Sequence, residues 1–123
     1  MIANCIALHL TLVTACLSIT GCDETVTSDY ATRADAEADQ LFERAWLPEI
    51  IPPSSRDIVT KNDLDLNTST GEFHFDPADR AAFVAQLTRL ASRDEKDQLG
   101  YSYETWVFLL DRTKPFCRYE FKL

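Results

Sequence analysis

YSYETWVFLL, spanning Tyr101 to Leu110, is the most apolar run beyond residue 22, and Trp106 to Leu110 carries no polar residue at all. It is too rich in β-formers to make a good helix. With no alternation between polar and apolar residues, it predicts one strand covered on both faces and central in its sheet. Asp111 to Pro115 turns the chain. The last strand then alternates Cys117, Tyr119, Phe121 and Leu123 against Arg118, Glu120 and Lys122, so Cys117 points inward.

Upstream, Ser92 to Gly100 is nearly all polar and reads as a solvated loop or frayed helix end. Before it, Asp76 and Pro77 have the chemistry of an N-cap and a first helical residue, with Asp79 placed to favour a helix N-terminus. The helix they open carries an apolar stripe of Phe83, Val84, Leu87, Leu90 and Ala91, with Arg80, Gln86, Arg89 and Arg93 mainly outside it. A hairpin precedes this helix. Ile58, Thr60, Asn62, Leu64 and Leu66 take the inner side of its first strand, and Asp57, Val59, Lys61, Asp63 and Asp65 the outer. Asn67 to Gly71 is a run of turn formers, after which Phe73 and Phe75 alternate with Glu72 and His74.

Further upstream, Thr32 and Asp35 read as an N-cap with an acidic N3 partner, a weaker relative of the capping box, and Ala34, Ala38, Leu41 and Ala45 recur at helical spacing with Phe42 and Trp46 beside them. Pro48, Pro52 and Pro53 end that helix by Leu47. Trp46 to Pro53 becomes an extended apolar strap, which either packs along the domain or stays open to a partner. The element order helix, hairpin, helix, hairpin predicts an α+β fold: a four-stranded, largely antiparallel sheet with two helices on one face.

The chain has 123 residues, twenty acids, twelve bases and a net charge of −8. All charged residues follow Cys22. This balance argues against nucleic acid as a partner, since phosphates would be repelled. The apolar run from Ile6 to Leu17 ends in Ile19, Thr20, Gly21 and Cys22, the spacing of a bacterial lipobox. Cys22 would take the diacylglycerol thioether, and acyl chains such as palmitate would then hold the protein, at about 0.8 kcal/mol per buried methylene. Residues 1–21 read as the signal peptide, 22–30 as lipidated cysteine and tether, and 31–123 as one small domain. The polar stretch from Asp23 to Ser28 reads as disordered.

No Lys or Arg precedes Cys22, and Val13 to Cys16 form a competing lipobox. Cys22 is preferred because Asp23 and Glu24 turn the chain polar at once; a cleaved secreted form, a cytoplasmic form and an uncleaved membrane anchor are the alternatives. The N-terminus resembles that of enterobacterial lipoproteins, which implies that Asp23 retains the protein at the periplasmic face of the inner membrane. Of four cysteines only Cys117 would stay free in the mature chain, so no disulfide framework is expected.

Chemistry-bearing constellations are sparse. His74 stands on the polar side of a strand, so neither a histidine metal cluster nor a Cys and His pair is expected. Asp63, Asp65 and Asn67 open like a calcium loop, but Thr68 and His74 occupy the positions that need Gly and Glu. Cys117 on an apolar face reads as an inert thiol. No catalytic residue, metal or cofactor is expected.

Arg44, Ala45, Trp46, Leu47 and Pro48, then Ile51, Pro52, Ser54 and Ile58, then Asp65, Asn67, Phe73 and Phe75 together resemble the YbbD head-type domain of small uncharacterised bacterial envelope proteins. The similarity runs from about Tyr30 to Leu90, with Ala45 where Gly is the commoner residue. It implies a lipoprotein with one compact domain, and no activity. The expected function is a non-enzymatic interaction or structural module bound to the membrane through its lipid, with an unknown protein partner contacting Trp46, Ile50 and Ile51. The alternative is an immunity or inhibitor lipoprotein whose acidic surface, including Asp57, Asp63 and Asp65, neutralises a basic toxin or hydrolase.

Overall fold

In the computed structural model, which describes residues 24–122, the segment expected to be a tether is already a strand. Thr25–Thr32 forms β1, helped by its threonines, Val26 and Tyr30, and pairs antiparallel with β2, Arg56–Asp63. β3, Thr68–His74, completes a three-stranded meander. The chain then crosses one face of the sheet through a 3-10 turn, Pro77–Asp79, and helix α2, Arg80–Ala85. It reaches the far edge at β4, Thr88–Arg89, and returns through β5, Gln98–Tyr103, and β6, Trp106–Asp111, to β7, Phe116–Lys122, which pairs with β3. The result is one seven-stranded sheet in the order β1-β2-β3-β7-β6-β5-β4, antiparallel throughout.

The predicted α+β fold, with a four-stranded sheet and two helices on one face, is therefore wrong: the protein is mostly β, and each α-helix has six residues. The run YSYETWVFLL is two strands and not one. Glu104 and Thr105 make a two-residue hairpin turn, with Glu104 at φ 50°. Turns of this length usually place Gly or Asn at positive φ, and this one lacks both, so no turn is visible in the sequence.

The first helix ends for a related reason. Thr32 is the expected N-cap, and with Asp35 it forms a full capping box over α1, Arg33–Ala38. At Gln40, however, φ is 59°, and the N–H groups of Gln40 and Leu41 donate back to the carbonyls of Glu37 and Ala36. That is a Schellman ending. The same pattern recurs at once, as Ala45 at φ 58° and Trp46 donate to Phe42 and Leu41. Ala34, Ala38 and Ala45, expected on the buried stripe, are exposed, and Ala36 is buried in their place. A left-handed residue with a Cβ costs roughly 1 kcal/mol or more, which glycine avoids. Ala45→Gly should therefore raise unfolding stability by about 1 kcal/mol in urea denaturation, the gain reduced by the freer unfolded chain.

One face of the sheet holds the core. Tyr30, Ile58, Phe73, Cys117, Tyr119, Phe108, Leu110 and Tyr101 project from successive strands beneath α1, the strap and α2. Thr60 and Asn62 share this face and are buried as predicted, but β2 stops at Asp63, leaving Leu64 and Leu66 exposed in a turn. A bulge at Asp57, φ 48°, shifts the register between β2 and β3.

Candidate functional site

The strap is held to the domain by backbone capture. Arg33, the first residue of α1, donates to the carbonyls of Glu49 at 3.0 Å and of Ile51, while its Nε pairs with Glu37 and its guanidinium lies 4.6 Å from the Phe42 ring. One side chain thus fixes both the helix and the strap. At the strap's start, Ser69 on β3 donates to the Trp46 carbonyl at 3.1 Å. At its end, Ser54 donates to Asp79 and accepts from the Asp76 N–H at 2.8 Å, tying strap to α2. Nothing in the sequence singled out Arg33, since an arginine at a helix start has many ordinary roles, and Ser54 stood out only as one of the residues that carry the family resemblance.

With the backbone so fixed, the strap's side chains divide between the core and the surface, two adjacent residues at a time turning inward. Leu47, Pro48, Ile51 and Pro52 are buried, so Ile51 offers no surface to a partner. Trp46 and Ile50 are half-buried. Ile50 is a ridge between two grooves: one of about 340 Å³ toward Ala82 of α2 and Gln86 just after it, the other of about 260 Å³ toward Tyr103 and Trp106. Trp46 borders a third, of about 180 Å³, with the Arg44 guanidinium 5.3 Å from its ring. The three residues expected to act together are therefore divided, two at the surface and one in the core.

The other candidates separate further. Cys117 is fully buried, and burial pushes its thiol far above the ordinary value, which removes the thiolate that nucleophilic attack needs. Asp63 caps its own turn, accepting from the N–H groups of Asp65 and Leu66 at 3.0 Å, and Asn67 sits in that turn at φ 49°. These residues do not share a strand face. Asp57 and Asp63 stand at opposite ends of β2, about 20 Å apart along an extended strand, so they build no dense acidic patch. His74, expected to be exposed, is half-buried with its ring 4.9 Å from Phe116. Cys22 lies outside the described residues, as do the signal segment and Asp23. Among the described residues, no helix is long and apolar enough to cross a membrane.

No curated protein and no solved structure matches the chain. The family comparison does find a match, over residues 24–74, a narrower span than Tyr30 to Leu90. It begins at β1 and ends with β3, taking in α1 and the whole strap with its Arg33 clamp. Ala45, at its left-handed position, falls inside it. Residues 24–74, which supply strands β1 to β3 and the strap, match the family model of the YbbD head domain.

Proposed function

We propose that the chain is a lipid-anchored protein of the bacterial envelope, attached through Cys22 at the periplasmic face of the inner membrane, whose domain is a non-enzymatic protein-interaction module. The observation that carries the interaction reading is the strap: its backbone is clamped by Arg33, Ser54 and Ser69, yet Trp46 and Ile50 stay partly open beside three grooves. A rigid ridge of one aromatic and one branched side chain loses little entropy on docking, and tryptophan is enriched among the residues that dominate interfaces. The immunity alternative has no comparable support, because its acids are dispersed along β2 and its turn.

Intact mass of the membrane-fraction protein tests the anchor. A chain starting at Cys22 with acyl chains, lost in Cys22→Ala, is expected; a full-length or unlipidated soluble product overturns it. For the surface, Ile50→Asp should abolish capture of a co-purifying protein by the lipidated chain, while Thr70→Asp, exposed on the opposite face of the sheet, should not. Both variants should melt cooperatively. Identical capture by both variants and the wild type would refute the strap as the contact.

A further inference from the structure

Leu64 and Leu66 leave the core where β2 ends, and they emerge beside another uncovered apolar residue. Val26 is 39% exposed, Leu64 47% and Leu66 71%, and these are the exposed large apolar side chains among the described residues. All three lie at one end of the sheet. Val26 on β1 pairs with Asn62 on β2, Leu64 follows two residues after Asn62, and Leu66 stands in the turn before β3. Apolar residues scattered singly over a surface need no explanation, whereas their gathering in one region marks a contact.

The turn holds its leucines in place. Asp63 accepts from the N–H groups of Asp65 and Leu66 at 3.0 Å, and Asn67 closes the turn at φ 49°. The Leu64 N–H donates to the Glu24 carbonyl at 3.2 Å, which ties the turn to the start of β1. Cys22 comes two residues before Glu24, a length of at most about 7 Å of chain. β1 begins at Thr25 and so takes up nearly all of the tether expected between anchor and domain. With acyl chains on Cys22, this end of the sheet is the one kept nearest the bilayer. His74 and Lys114 belong to the opposite end, His74 about 17 Å along β3 from Ser69.

We propose that the anchored end of the sheet is a membrane contact, in which Leu64 and Leu66, flanked by Val26, enter the interfacial region of a zwitterionic bilayer and set the orientation of the domain on it. This rests on the lipid anchor at Cys22 and is independent of the interaction reading of the strap. Attachment through Cys22 makes the contact intramolecular, so a few side chains suffice where a free protein needs a larger apolar area. Charge does not drive it. Glu24, Asp63, Asp65 and Glu104 outnumber Arg44, Lys61 and Lys122 in this region, so an anionic surface offers no attraction and the lipid assigned is zwitterionic.

Amide NMR of the chain beginning at Cys22, in phosphatidylcholine nanodiscs with and without doxyl-labelled phosphatidylcholine, tests the contact, because the spin label broadens amides close to the acyl region. The chain is attached by its own acyl chains or, where intact mass shows none, by coupling the Cys22 thiol to a maleimide lipid. An unacylated mass thus overturns the anchor, while the coupled chain still decides the contact. Val26, Leu64 and Leu66 should lose at least half their intensity, and His74 and Lys114 at least threefold less. Leu64→Ser combined with Leu66→Ser should reduce the broadening at least twofold with the chain still attached, and Leu66→Ser alone should lower it in the same sense if the double variant disturbs the fold. Equal broadening at the two ends, stronger broadening at His74 and Lys114, or broadening unchanged by the serine variants would each overturn the contact, the last because attachment alone would then account for it.

Discussion

Phe83→Ala should cost about 3–5 kcal/mol of stability, the ordinary penalty for removing a fully buried aromatic ring from a packed core. Phe83 is 2% exposed, and its ring meets those of Phe108 at 5.4 Å, Phe73 at 6.0 Å and Phe75 at 6.1 Å, the first two edge-on. Such pairs add to the gain from area burial alone. The effect should be global. A helix of six residues has no independent stability, so α2 depends on its tertiary contacts, with Phe83 as its buried anchor in the core. It is also the crossing that carries the chain from β3 to the far edge, and its loss loosens both meanders together. Domains of this size have about 5–15 kcal/mol in hand, so the melting temperature should fall by roughly 15 °C or more. Phe83→Leu, which keeps most of the volume, should fall much less. A loss under about 1 kcal/mol for the alanine variant would show that α2 is not fixed to the core.

Phe83 was legible in the sequence, and comparison with the elements that were not explains why. Buried positions could be read wherever period and burial agreed: Ile58, Thr60 and Asn62 on β2, Phe73 and Phe75 in and after β3, and Cys117 and Tyr119 on β7 all face the core. The capping chemistry of Thr32 and of Asp76 with Pro77 was legible too, because a side-chain oxygen meeting a free N–H is a local event. Chain reversals without glycine were not. Gln40, Ala45 and Glu104 all take positive φ, and each hides the end of an element: a helix stopped short, a second turn, and the hairpin inside YSYETWVFLL. These conformations are imposed by tertiary packing, through the burial of Leu41, Leu47 and Trp106, and not by local preference. β1 was missed because Asp29 and three threonines resemble a solvated linker until β2 is there to pair with. The strap that holds the half-buried Trp46 and Ile50 was legible from the prolines around it.

Gly71→Ala should cost about 3 kcal/mol, although it adds one methyl group to a β-strand where alanine is otherwise tolerated. A Cβ at Gly71 would sit 2.2 Å from the Val59 carbonyl oxygen, 2.5 Å from the Tyr119 hydroxyl and 2.7 Å from Tyr119 Cζ. Gly71 pairs with Thr60 on one side and Tyr119 on the other, so it stands where the segment matching the YbbD head domain meets β7. Neither neighbour can yield easily. Tyr119 is 1% exposed and wedged between the rings of Phe73 at 6.5 Å and Trp106 at 5.6 Å, and the Val59 carbonyl belongs to the main chain of β2. Overpacking of this kind forces backbone shifts that cost 1–3 kcal/mol and occasionally more, and a contact of 2.2 Å with main chain belongs at the upper end. Tyr119→Phe separates the two obstacles, because it removes the hydroxyl and leaves the ring carbon and the carbonyl in place. Adding it to Gly71→Ala should therefore recover less than about 1 kcal/mol in urea denaturation. Full recovery would assign the clash to the hydroxyl alone, and a single-variant cost under about 1 kcal/mol would mean that β2 and β7 stand farther from Gly71 than this packing requires.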